Sequence, residues 1–161
     1  MKPRVLQLIG AEVGEGASDG GCKWGAAALR ERGIQQALAA AGRVVAWGET
    51  ITAQPLLAHS RMGAVEAFSE RLAAAVEKTL RDGKQPLVVG GDHSSAAGTW
   101  SAVAQYLCPT GRLGLVWIDA HMDAHTPLSS DSQAPHGMPL AALLGHGSEG
   151  MAALYGWRRK L

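Results

Sequence analysis

Cysteine is scarce. Cys22 and Cys108 are the only two in 161 residues, far apart and matching no C-x-x-C or zinc-type spacing. The expectation is two unpaired thiols in a reducing compartment, hence a cytoplasmic protein. Long apolar runs are lacking as well. No stretch approaches the roughly 20 apolar residues needed to cross a bilayer. The first apolar run is broken at once by Gly10, Glu12 and Gly14, too soon for the core of a secretion signal. Charge of one sign is also missing. The formal net charge is +1 and the basic residues are scattered, so there is no electrostatic footprint for nucleic acid or an anionic membrane. The densest basic cluster, Trp157-Arg158-Arg159-Lys160, reads as a solvated chain end. No internal repeat, low-complexity tract or interdomain linker is seen.

What is present suffices for one α/β domain with a core, since 47% of the residues are hydrophobic. Residues 4–13 are a short apolar run ending in Gly and acidic residues, a buried strand entering a glycine-rich loop. Residues 26–41 read as one helix, with Leu29, Ile34 and Leu38 near helical spacing and Gly42 placed to end it. Residues 43–48 follow as a second strand. The clearest helix runs from about residue 62 to 81. Met62, Val65, Phe68, Leu72, Val76 and Leu80 form one apolar stripe, and Gly83 sits at the C-cap. A third strand at 87–89, a helix at about 95–107 and a fourth strand at 113–118 complete the pattern. Continuous apolar strands alternating with helices predict a mainly parallel sheet covered on both faces, a three-layer α-β-α architecture.

Ligands of such sheets bind beyond the carboxyl ends of the strands. The two most polar clusters both fall there: Gly90-Gly91-Asp92-His93-Ser94 after the third strand, and Asp119-Ala120-His121-Met122-Asp123 after the fourth. Unpaired carboxylates beside a core are costly, and a bound cation repays them. Side chains at i, i+2 and i+4 of an extended segment share a face, so Asp119, His121 and Asp123 converge if strand geometry continues. His93 supplies a second imidazole from the neighbouring loop. Carboxylates with imidazoles suit manganese or a similar borderline ion better than structural zinc.

GGDHS followed by DAHMD, with His136-Gly137-Met138-Pro139 downstream, resembles the ureohydrolase family of arginases, agmatinases and formimidoylglutamases. The opening loop and first helix are similar too, through Gly21, Cys22, Gly25, Ala28, Leu29 and Arg30. The resemblance covers essentially residues 1–161, as the N-terminal part of a single domain. It implies two Mn2+ ions, with His93 and Asp123 on the first, His121 on the second, and Asp119 between them. It implies hydrolysis of a guanidino group, releasing urea and an amine, with Asp123 and His136 as catalytic residues. His136 would shuttle a proton, a role suited to a side chain that titrates near neutrality. Asp92 would orient its neighbours rather than bind metal.

The stretch after DAHMD is closer to arginases than to agmatinases, which implies L-arginine as substrate and L-ornithine as product. By position, His125, Ser130 and Ser132 would meet the amino-acid end, although the family's usual asparagines are replaced by His125 and Ala134. Agmatine, formimidoylglutamate or a guanidino acid are the alternatives. His59 and His146 match no motif and read as surface residues. Intact relatives are expected to form trimers or hexamers.

The family also carries a later Ser-x-Asp-x-Asp-x-x-Asp-Pro segment whose aspartates complete both metal shells. These 161 residues do not contain it. The expectation is therefore a truncated, inactive and poorly stable chain, with sheet edges left unpaired. A non-catalytic metal-binding relic, or a partner of longer homologues, is the rival that this truncation suggests. A calcineurin-like phosphoesterase is disfavoured because no GDxxD or GNH[DE] follows Asp119-x-His121. A Rossmann turn is disfavoured because Gly10, Gly14 and Gly16 do not fit G-x-G-x-x-G.

Overall fold

A computed structural model describes residues 4–54, 60–111 and 113–154. His59 and the basic cluster at 157–160 lie outside the described residues. Three strands, β1 (Leu6–Glu12), β2 (Val45–Thr52) and β3 (Gln85–Val89), form a parallel sheet in the order β2-β1-β3. β1 is central and nearly all buried, which is why it reads as an unbroken apolar run rather than an alternating one.

Its two faces pack against different helices. Ile9, Ala11 and Val13 point to one side, where α3 (Arg61–Arg81) packs Val65, Phe68, Leu72 and Val76 against them. Gln7, on that same face, donates from Nε2 to Thr79 Oγ1 of α3 at 3.2 Å. Leu6 and Leu8 point the opposite way. α4 (Ser95–Leu107) lies alongside α3 and adds Ala97 and Ala102 to the core. The chain closes with α5 (Pro139–Leu143) and α6 (Glu149–Leu154), the latter placing Met151 in the same cluster.

Two expectations are corrected. The helix expected over 26–41 is two, α1 (Gly25–Glu31) and α2 (Ile34–Ala40), because Gly33 adopts φ 80° and resets the chain direction. The fourth strand expected at 113–118 pairs with no strand among the described residues. That segment still alternates as a strand would. Leu113, Leu115 and Trp117 are partly covered, whereas Val116 is 81% and Ile118 92% exposed. Apolar periodicity was present, but a strand also needs a hydrogen-bonded neighbour, and β3 is not one here.

From β1 the chain crosses to β2 on one side and later to β3 on the other. Parallel crossovers of this kind open a crevice where the connections diverge. The loops leaving β1 and β3 meet there, and the site is built on them.

Candidate metal centre and substrate cleft

β3 ends in a double-glycine turn, Gly90 at φ 86° and Gly91 at φ 73°, conformations costly for any residue with a Cβ. This turn delivers Asp92 into the protein and His93 towards the surface. Asp92 is buried, its N–H donates to Val13 O at 2.8 Å, and its carboxylate accepts from Gly16 N–H and Ser94 N–H. His93 stacks on Trp117, with ring centroids 4.8 Å apart, which fixes the plane of the imidazole.

His93 Nδ1 then lies 3.1 Å from Asp119 Oδ2 and 2.5 Å from Asp123 Oδ2. One ligand atom from each of His93, Asp119 and Asp123 falls within 4.8 Å of the others, a group that could hold a metal ion. The donor set, one imidazole and two carboxylates, fits a hard or borderline divalent ion. Asp119 is held below the ordinary carboxylate range, first because its Oδ1 accepts the backbone N–H of His121 at 2.8 Å, and further by His93 and His121 nearby. Burial acts the other way.

The expected i, i+2, i+4 convergence is realised only in part. The hydrogen bond from His121 N–H to Asp119 turns the chain at once, and Asp123 takes φ 48°, so extended geometry does not continue. Asp119 and Asp123 meet across the turn. The His121 ring is 83% exposed, with Nδ1 3.7 Å from Asp119 Oδ1, and stands beside the three-residue group rather than in it.

The group forms one end of an open cleft of about 660 Å³. His121, His125, Ser130, Ser132 and His136 all line it, so these residues expected from the sequence share one cleft. The loops around the cleft are joined by backbone pairing: His125 N–H donates to Gly137 O and Leu140 N–H to Asp123 O, each at 3.0 Å. Ser130 is buried and its hydroxyl accepts from Gln133 N–H at 3.1 Å, while Ser132 Oγ lies 3.4 Å away. His125 Nδ1 is 3.3 Å from Ser129 Oγ. His146 is exposed and away from the cleft.

Two contributors stand outside the sequence motifs. Trp117 stacks on His93, and only the alternation that puts it on the covered face with Leu113 and Leu115 hints at it. Gly16 lies in a glycine-rich loop, and only the fold brings it against Asp92.

Comparison with known proteins agrees with this geometry. The family model described as Arginase family matches residues 5–159. An arginase of Bacillus caldovelox is 36% identical over 100% of this chain and 55% of its own length. The crystal structure of Bacillus subtilis arginase superposes with a TM-score of 0.85 at 35% identity, covering 95% of this chain and 51% of that one. The Entamoeba histolytica arginase solved in complex with L-ornithine gives a TM-score of 0.84 at 27% identity, over 97% and 54%. The chain thus spans about half the length of the relatives it matches. With the motifs, the parallel sheet and a match along almost every residue in agreement, this chain belongs to the arginase family.

Proposed function

We propose that this chain carries the metal-binding part of a site that hydrolyses the guanidino group of L-arginine to L-ornithine and urea. The observation that carries the reading is the convergence of His93, Asp119 and Asp123 at one end of the cleft that His125, Ser130, Ser132 and His136 line. Residues 1–161 are then the N-terminal part of a single ureohydrolase domain. Relatives twice as long, and a strand-like segment at 113–118 without a ladder, support this.

In this reading His93, Asp119, Asp123 and the adjacent His121 hold Mn2+. Bound manganese supplies the positive charge that lets water ionise near neutral pH. The protein's own groups do the rest. The carboxylates of Asp119 and Asp123 neutralise the dications and, with the open cleft between them and His136, leave room for a planar cationic guanidinium. His136, which lines the same cleft, passes a proton to the departing amine. The hydroxyls of Ser130 and Ser132 and the His125 imidazole offer short polar contacts to an α-carboxylate and α-amine. The Entamoeba relative solved with L-ornithine supports an amino-acid ligand here.

The test is ligand-observed NMR in the presence of Mn2+. Signals of L-arginine should show transfer from the protein, and S130A/S132A should weaken L-arginine while leaving agmatine, which lacks the carboxylate, unchanged. Equal loss for both ligands would contradict the assignment of the serines. Failure of either ligand to bind the unaltered chain would contradict the guanidino site.

A further inference from the structure

We propose that Asp92 is a positioning residue that couples the His93 turn to the His136 loop through the backbone of Gly16. This deepens the reading above and takes its catalytic meaning from it. The chain of contacts is continuous. Asp92 Oδ2 accepts Gly16 N–H at 2.8 Å, and Gly16 O accepts His136 N–H at 3.2 Å. A single glycine residue therefore joins the residue before one metal donor to the backbone of the proton-transfer group in the same cleft.

The site is built for this. Asp92 is only 6% exposed, and all the groups facing its carboxylate are donors: Gly16 N–H, Ser94 N–H at 2.9 Å and the Ser94 hydroxyl. A carboxylate accepts all three, whereas an amide would turn its own NH2 against one of them. Gly16 is required by space. A Cβ there would stand 2.6 Å from Asp92 Oδ1 and 2.9 Å from Ser94 Oγ, and these atoms are pinned by their own hydrogen bonds. Arg61 fastens the loop on both sides of Gly16, donating from Nε to Glu15 O at 2.9 Å and from its terminal nitrogen to Ala17 O at 2.5 Å. Gly16 O is thereby held where His136 N–H reaches it. Both ends matter to one cleft, so a shift at Asp92 moves a metal donor and the proton-transfer group together.

The experiment is amide hydrogen exchange by NMR on the metal-free chain, with D92N and S94A beside the unaltered protein. Asp92→Asn should accelerate exchange at both Gly16 and His136 by at least about tenfold while Phe68 and Leu72 stay protected. Ser94→Ala, which removes one donor on the other oxygen, should leave His136 protected. A folded D92N with unchanged His136 exchange would overturn the proposal. If D92N does not fold, the unaltered chain decides: under graded denaturant, Gly16 and His136 should open in one common event, and separate openings would overturn it. The catalytic meaning has its own signature. Mn2+ bound at His93, Asp119 and Asp123 should broaden the His136 ring signals, and less so in D92N at saturating metal. Unchanged broadening would mean that Asp92 supports structure alone. Because the amide readout needs no metal, a chain that fails to bind Mn2+ contradicts the metal site and leaves the coupling to be decided by exchange.

Discussion

Asp123 Oδ2 stands 2.5 Å from His93 Nδ1 because the Asp123 backbone adopts φ 48°, a left-handed conformation uncommon outside glycine. Aspartate tolerates it better than most residues, and its N-terminal neighbours turn early through the Asp119 to His121 hydrogen bond. Local backbone geometry and metal-donor geometry are thus the same feature.

That relationship separates two effects that usually travel together. Asp123→Gly keeps the permitted backbone and removes the donor, so stability should change by less than about 1 kcal/mol while Mn2+ affinity falls at least about tenfold. Asp123→Val removes the donor and also forbids the backbone, and should cost a further 1–2 kcal/mol or so. Urea unfolding of the two variants measures the difference. Equal stability would mean that the turn is not held as described.

The core makes an independent demand. Phe68 is 1% exposed and lies between α3 and β1 in the main cluster. Phe68→Ala should lower unfolding free energy by about 3–5 kcal/mol. A loss below about 1 kcal/mol in denaturant titration would show that α3 does not pack on the sheet as found.

Asp119 gives the pH dependence. Its carboxyl is held down chiefly by the His121 N–H, so its folded value lies below its unfolded one. The sign follows from linkage: its contribution is complete above the unfolded value and is lost only as pH falls through the lower, folded one. Asp119 therefore stays ionised from neutral pH down through pH 5, and its protonation does not drive loss of Mn2+ over that range. Carboxyl 13C titration of the metal-free protein should place Asp119 below the ordinary aspartate range. A midpoint at or above that range would contradict the turn.

Val116 tests the unladdered segment. At 81% exposure, it packs too little for its replacement to matter to the fold, yet it presents an apolar strand-like row to other chains. Val116→Lys should leave stability within about 0.5 kcal/mol and reduce self-association in sedimentation velocity. Unchanged association would place the adhesive surface elsewhere.

The parts of the fold legible in the sequence are those governed by local periodicity. The stripe from Met62 to Leu80 marks α3 nearly to the residue, and Gly83, at φ 73°, follows the end of that helix as expected. The run at 87–89 was found, though β3 begins at Gln85. Local signals failed where distant ones decide. The pattern at 113–118 is that of a strand, but pairing is settled by a neighbour that periodicity does not reveal. Gly33 was absorbed into a helix because the apolar spacing on either side continued across it. In the site, polarity after two apolar runs points to His93, Asp119 and Asp123, whose ligand atoms lie within 4.8 Å of one another. The orientation of His121 was not legible, because one hydrogen bond from its own amide turns the loop. Gly16 owes its place to the way separate elements meet, as does the stacking of Trp117 on His93, although alternation marks the covered face on which Trp117 lies.

Titration calorimetry of Mn2+ into this chain, with Asp119→Ala as the control, bears on the central claim most directly. Saturable binding that falls at least about tenfold in D119A is the predicted result. Absence of binding, or equal affinity in both proteins, would contradict a metal centre made by His93, Asp119 and Asp123.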